Sequence, residues 1–326
     1  MPGELVAGYL LLVAVRRLLV GRANEQRATN NRQRTTLALL FPLLFPLCLF
    51  GQTPPQDSFS LLHTFPLEAK YFAVDKLRQV YLVTPANEVA KYSQEGRELF
   101  RYNNNTRGNL SYIDATDPFN LLLFYPELQA IATLDRTMNE TALLLLFSAD
   151  IINATAIALA NDNNIWVYDQ ATFRLVKIAP DGAVLASSDN LSAQLPQPPK
   201  ATQAIARENM VYLNDSGKGI FLFDGFAQYH QLLPLPDYEH IWMLDGYLQL
   251  FKKGELSAYN LKALKKVPLP LPKAGEQAIQ ARWQGGRLYL LSEDGRLSVY
   301  GRNEGMKGNG KSEGGIKIVG FRVKKG

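Results

Sequence analysis

The sequence predicts an all-β chain closed into a six-bladed β-propeller, and three observations predict it. A strand-rich unit recurs about every 40 residues. Each complete unit holds four short strands fenced by turn formers. The last unit lacks its fourth strand, while an unpartnered strand stands ahead of the first. A four-stranded repeat of that period marks a propeller, in which each sheet buries its faces on its neighbours.

The third unit shows the plan most plainly. "ATAIALANDNNIWVYDQATFRLVKIAPDGAVLASS" reads as strands over Ala156–Ala160, Ile165–Tyr168, Arg174–Ile178 and Val184–Ser187. Asn161 to Asn164, Asp169-Gln170 and Pro180-Asp181-Gly182 separate them. Asn and Asp hydrogen-bond their own turns, Pro fixes φ and Gly accepts positive φ. No window keeps a 3.6-residue apolar period past about three turns without a Pro or Gly break, so a helical reading fails.

From the start of the chain, residues 1–51 read as an extension and signal peptide. Leu37–Phe50 is an uncharged run behind Arg32 and Arg34, followed by the small Gly51. The pattern fits a secretory signal cut before Gln52. It is short of the roughly 20 residues of a membrane span, and Pro42 and Pro46 weaken it as a helix. The lipoprotein alternative would use Cys48, but Phe45-Pro46-Leu47 lacks the small residues that lipidation favours. Residues 1–31 leave two readings open, a start codon placed too early or an N-terminal anchor. Cys48 is the single cysteine, so a chain cut at Gln52 has no disulfide, thiol nucleophile or cysteine metal site.

Residues 52–301 are the predicted propeller. Phe59–Phe65 is the orphan strand, expected to pair with Arg296–Tyr300 and close the ring. The first blade then follows as Tyr71–Val74, Gln79–Val83, Glu88–Tyr92 and Glu98–Tyr102. The second occupies Leu110–Phe147, the third Ala154–Ser187 and the fourth Ala201–Pro236. The fifth runs over Glu239–Pro272, and Ala278–Gly301 holds three strands of the sixth. Small apolar inner strands such as Ala156–Ala160 suit a crowded position covered on both faces. The tail, 302–326, is Gly-rich and basic; low hydrophobicity predicts disorder up to Gly315, then a brief strand signal over Ile316–Val323.

The formal charge of +5 belongs to the ends. Residues 1–51 carry six Arg against two Glu, and residues 302–326 carry seven basic against two acidic residues. The body between them holds 22 basic and 26 acidic residues, a net of −4. A nucleic-acid partner is therefore rejected.

The units "DKLRQVYLVTPANEVAKYSQEGREL" and "NDNNIWVYDQATFRLVKIAPDGAVL" resemble NHL or YVTN-type propeller repeats. "YNNNTRGNL" with "IDATDPFNLLLFYPELQAIATLD" is similar to exported six-bladed propellers of Bacteroidota. The resemblance covers about residues 56–301 and implies fold strongly, function hardly at all. The second blade departs from it, with Asp135-Arg136 where other units carry an Asp-Gly turn.

Chemistry is thinly signalled. The three histidines are His63 in the closing strand, His230 in an outer strand and His240 beside the channel. No HExxH, GxSxG, Walker or Rossmann pattern occurs. Asp75, Asp114, Asp162 and Asp245 follow first strands, where Asp ordinarily caps a turn, although calcium propellers draw ligands from such places. The Asn103-Asn104-Asn105 run reads as a linker with an affinity for sugar hydroxyls as its alternative. Tyr125, Glu127, Phe226, Tyr229 and His240 are the candidate partner-binding residues; packing between blades is the equal alternative for the aromatics. No catalytic residue, metal ligand or cofactor is expected. The reading is a monomeric, non-enzymatic scaffold in the periplasm or at the outer membrane, peripherally attached at most. It binds an envelope protein or extended ligand on one propeller face. A calcium-dependent hydrolase of the lactonase or phosphotriesterase kind is the alternative.

Overall fold

The computed structural model describes residues 59–244, 246–302, 316–318 and 321–323. The expected signal with Cys48, most of the tail and Asp245 lie outside the described residues. Strand β1 (Phe59–Thr64) opens the chain. The first blade is β2 (Tyr71–Val74), β3 (Val80–Val83), β4 (Val89–Tyr92) and β5 (Glu98–Tyr102). The second is β6 (Tyr112–Asp114), β7 (Leu121–Tyr125), β8 (Ala130–Leu134) and β9 (Glu140–Leu145). The third is β10 (Ala154–Leu159), β11 (Ile165–Asp169), β12 (Arg174–Ile178) and β13 (Val184–Ser187). The fourth is β14 (Gln203–Arg207), β15 (Met210–Asp215), β16 (Gly219–Asp224) and β17 (Tyr229–Leu233). The fifth is β18 (His240–Leu244), β19 (Tyr247–Lys252), β20 (Glu255–Asn260) and β21 (Lys265–Leu269). The sixth has β22 (Ala278–Gln284), β23 (Arg287–Ser292) and β24 (Leu297–Arg302) from the C-terminal side. A separate hairpin pairs β25 (Ile316–Ile318) with β26 (Phe321–Val323), within the stretch expected to be strand-like.

The predicted six-bladed ring is observed, and the orphan strand closes it. β1 lies antiparallel to β24, from Phe59 opposite Arg302 to Thr64 opposite Ser298. It is the fourth strand of the sixth blade, in the order β1-β24-β23-β22. Its partner begins one residue later and runs two residues further than the sequence suggests, and a bulge between Leu61 and His63 shifts the register.

Alternation along each strand assigns alternate side chains to opposite seams. In the third blade, Ala156, Ala158, Trp166 and Tyr168 pack against the fourth blade, with Ala204, Ala206 and Val211. Ile157, Leu159, Ile165 and Val167 point the other way, against Leu122, Phe124 and Ile131 of the second. Six apolar clusters result, one at each seam. The middle strands β3, β7 and β11 are buried throughout, whereas the outer strands β5 and β13 are largely exposed.

The turns are made by the residue types that the sequence singles out. Asp75 Oδ1 accepts from the N–H groups of Leu77 and Gln79, both at 2.8 Å. Asp162 Oδ1 accepts from the N–H of Asn164 at 3.2 Å, and its other oxygen takes Lys177. In the second blade Asp135 accepts from the N–H groups of Thr137 and Asn139, so its turn is capped without the Asp-Gly pair.

Candidate functional site

The inner strands β2, β6, β14, β18 and β22 surround a cavity of about 400 Å³. Its lining reaches the C-terminal ends of these strands and the turns beyond, at Lys76, Thr116, Glu208 and Gly246. These strand ends therefore share one face of the disc, and the cavity opens there. A smaller hollow of about 160 Å³ lies between the third and fourth blades. The two share Ala206 and Arg207 at the end of β14, so they adjoin on the same face.

Rings narrow the bore at the other end. Tyr71 and Tyr112 begin β2 and β6, and their ring centroids are 6.1 Å apart. Tyr71 also reaches across to His240 of the fifth blade, at 6.2 Å. His240 in turn stacks on Trp242 at 5.6 Å and on Phe251 at 6.3 Å. Burial drives its imidazole down to about 4, so the ring is neutral at ordinary pH. Burial likewise pushes the Tyr71 and Tyr112 phenols well above their ordinary range, which keeps both protonated.

Arg282, on β22, is the cation inside the cavity. Its Nη2 donates to Gln284 Oε1 at 3.2 Å, and its guanidinium carbon lies 5.9 Å from the Trp242 ring centroid. Its Nε is buried without a hydrogen-bond partner. Burial lowers its proton affinity, and coupling to Tyr71, Tyr112 and Asp114 opposes that shift. A guanidinium remains charged under such conditions. Asp114 is buried at the end of β6, and its oxygens are occupied by backbone donors. Oδ1 accepts from Thr116 N–H at 2.8 Å and Oδ2 from Leu159 N–H at 2.7 Å.

The residues named from sequence are dispersed. Of the five, His240 alone touches the channel rings. Tyr125 ends β7 fully buried, with the Arg107 guanidinium carbon 5.9 Å from its ring centroid. Glu127 is exposed in the next turn, where it accepts from Asn109 Nδ2 at 2.9 Å. Phe226 is 73% exposed beyond β16. Tyr229 begins β17, packed edge-on against Phe223 at 5.7 Å. His63 packs on Phe65 at 4.8 Å, and His230 lies 3.4 Å from Asp224 on the outer strand. Asn104 caps its own turn through Thr106 N–H at 3.1 Å. Among the described residues, no three His, Cys, Asp or Glu side chains are grouped to hold a metal ion.

Sequence reasoning missed Arg282, Tyr71 and Tyr112. The signal was present in "AIQARWQ", where Gln280, Arg282 and Gln284 are polar at every second position of an inner strand. Such a pattern is costly between packed sheets unless those groups are hydrogen-bonded or face a void.

No family model matches the chain, and no curated protein matches it. Solved structures share the ring. The chain is similar to a streptogramin B lyase at 13% identity and a TM-score of 0.52, covering 75% of this chain and 88% of that one. It is similar to virginiamycin B lyase from Staphylococcus aureus at 12% identity and 0.51, covering 71% and 80%. The propeller domain of Cps50 (Swd1) from Myceliophteria thermophila aligns at 11% identity and 0.53, covering 76% and 100%. At these identities the likeness is one of fold.

Proposed function

We propose that the chain is an exported, non-enzymatic binding propeller. Its partner in the cell envelope, a protein or an extended ligand, seats on the face where the inner strands end. The observation that carries this reading is the pair of adjoining hollows joined at Ala206 and Arg207. Together they offer a surface that runs from the channel to a blade seam, with Lys76, Arg207 and Glu208 around it. Concave sites are the usual form of a binding pocket, and this one sets several charged and polar groups among apolar side chains.

The channel chemistry favours binding over the hydrolase alternative. His240 is wedged neutral between rings, and Asp114 spends both oxygens on backbone N–H groups. A calcium ion takes about six to eight oxygens, and Asp114 and Glu208 are the only carboxylates in the described lining. The address rests on Leu37–Phe50 and the expected cut before Gln52. Among the described residues no helix is long and apolar enough to cross a membrane.

A photo-crosslinking residue placed at Glu208 in cells should give a discrete adduct. The same residue at Leu185, on the exposed outer strand β13, should not. Adducts from Leu185 alone would move the binding surface to the rim and overturn the proposal. Mass spectrometry of the extracted protein should find a chain beginning at Gln52; intact residues 1–51 would mean an anchor.

A further inference from the structure

Building on the binding reading above, we infer that the channel cavity takes a carboxylate joined to an apolar or aromatic body, with Arg282 as its anchor. A guanidinium presents five N–H donors in a planar fork that matches a carboxylate. In Arg282 one hydrogen bond is spent on Gln284 and the buried Nε has no acceptor. Trp242 at 5.9 Å backs one side of the guanidinium. The nearby Asp114 makes its hydrogen bonds to the Thr116 and Leu159 N–H groups rather than to the guanidinium. A half-buried guanidinium whose buried Nε is left in that state is stabilised by an acceptor arriving from outside.

The rest of the cavity sets the class of ligand. Tyr71 and Tyr112 hold their phenol protons, so each can donate to an anion. Ile113, Met243 and Leu244 supply apolar wall for the body of the ligand. A volume of about 400 Å³ suits a small molecule or the end of a peptide. The lining carries Lys76, Arg207 and Arg282 against Asp114 and Glu208, an excess of one positive charge that a single negative charge balances. A singly charged carboxylate is therefore preferred to a phosphate dianion.

The carboxylate has two sources, a free small acid or the C-terminus of a bound chain. Calorimetric titration of the full-length protein separates them, using phenylacetate, phenylacetamide, N-acetyl-alanyl-phenylalanine, its C-terminal amide and inorganic phosphate. At least one acid should bind about tenfold or more tighter than its amide, and tighter than phosphate. Arg282→Gln should abolish that preference while the circular-dichroism spectrum is unchanged. Preference for the peptide acid would identify a chain terminus, and preference for phenylacetate a free acid. Equal binding of acid and amide, phosphate binding as tight as either acid, or no binding of either acid would overturn the inference. If Arg282→Gln does not fold, the acid-against-amide comparison on the unaltered protein still decides. Loss of acid binding with the Glu208 crosslink intact would sink the carboxylate inference alone, whereas loss of both would remove the binding reading too.

Discussion

The side-chain amide of Gln280 holds both backbone groups of Phe72, joining the sixth blade to the first across 208 positions. Oε1 accepts from the Phe72 N–H at 3.1 Å, and Nε2 donates to its carbonyl at 3.0 Å. Phe72 lies on an innermost strand, whose inner edge has no neighbouring strand to pair with. Three other seams use the same device. Gln129 takes Ala154, Gln203 takes Ile241 and Gln249 takes Trp283, each by N–H and carbonyl together. In every case the glutamine belongs to the preceding blade, so a carboxamide stands in for a missing strand.

Replacing Gln280 by Ala leaves the Phe72 N–H and carbonyl buried without partners. Each such group costs about 1–3 kcal/mol, so Gln280→Ala should lose about 2–4 kcal/mol in urea unfolding. The exposed Gln194→Ala is the control and should change little. A Gln280→Ala loss below about 0.5 kcal/mol would mean that the ring closes without the carboxamide.

That device also shows where the sequence stops being readable. The blades were legible because their signals are local: Asn163 and Gly182 adopt positive φ within a few residues of the strands they join. Alternation was legible for the same reason, since Ile165 and Trp166 differ in seam by adjacency alone. Gln280, by contrast, shows in the sequence only as one of the polar residues alternating along an inner strand, and its partner 208 positions away has no local mark. His240 could be placed at the channel from its position in the repeat. That it sits neutral among Tyr71, Trp242 and Phe251 depends on three contacts, and Tyr71 comes from another blade.

His240 should make stability depend on pH. Its folded value is about 4, against an ordinary 6.5, so between those limits the unfolded chain binds a proton that the folded one does not. Stability is then complete above pH 6.5 and falls as pH drops toward 4. The slope is at most about 1.4 kcal/mol per pH unit. His240→Phe keeps a ring in the stack and should flatten the difference in unfolding free energy between pH 7 and 5. An unchanged slope in that variant would mean that the imidazole titrates alike in the folded and unfolded chain.

In the first five blades the turn between the third and fourth strands carries one residue at positive φ. Gly96 and Gly182 fill it in two of them, whereas Met138, Ala227 and Leu264 fill it in the other three at 65°, 66° and 50°. A side chain there costs roughly 1–2 kcal/mol relative to glycine. Leu264 is exposed, so Leu264→Gly should raise stability by about 0.5–1 kcal/mol after the entropy of glycine is deducted. Met138 is buried in the seam between the first and second blades, so Met138→Gly should lose about 1–3 kcal/mol despite the relieved strain. Thermal unfolding of both variants should therefore shift in opposite directions; shifts of the same sign would refute the balance between strain and packing.

At the rim of that same seam, Glu140 receives both arms of Arg107 at 2.8 Å and the Tyr102 hydroxyl at 2.7 Å. The Arg107 hydrogen bonds hold the Glu140 carboxyl below its usual range, against a smaller opposing effect of burial. A folded value below the unfolded one gives stability that is present above the unfolded pKa and lost as pH falls through the folded one. Glu140→Gln should therefore be less stable than the unaltered protein by about 1–2 kcal/mol at pH 7. The two should converge as pH falls through the lowered value of the folded carboxyl. The bidentate geometry and the half-buried Arg107 should make the difference only partly sensitive to salt. Urea titrations at pH 7, 5 and 3 measure this directly. A gap of the same size at all three would show that the shape of the side chain, rather than its charge, joins the two blades there.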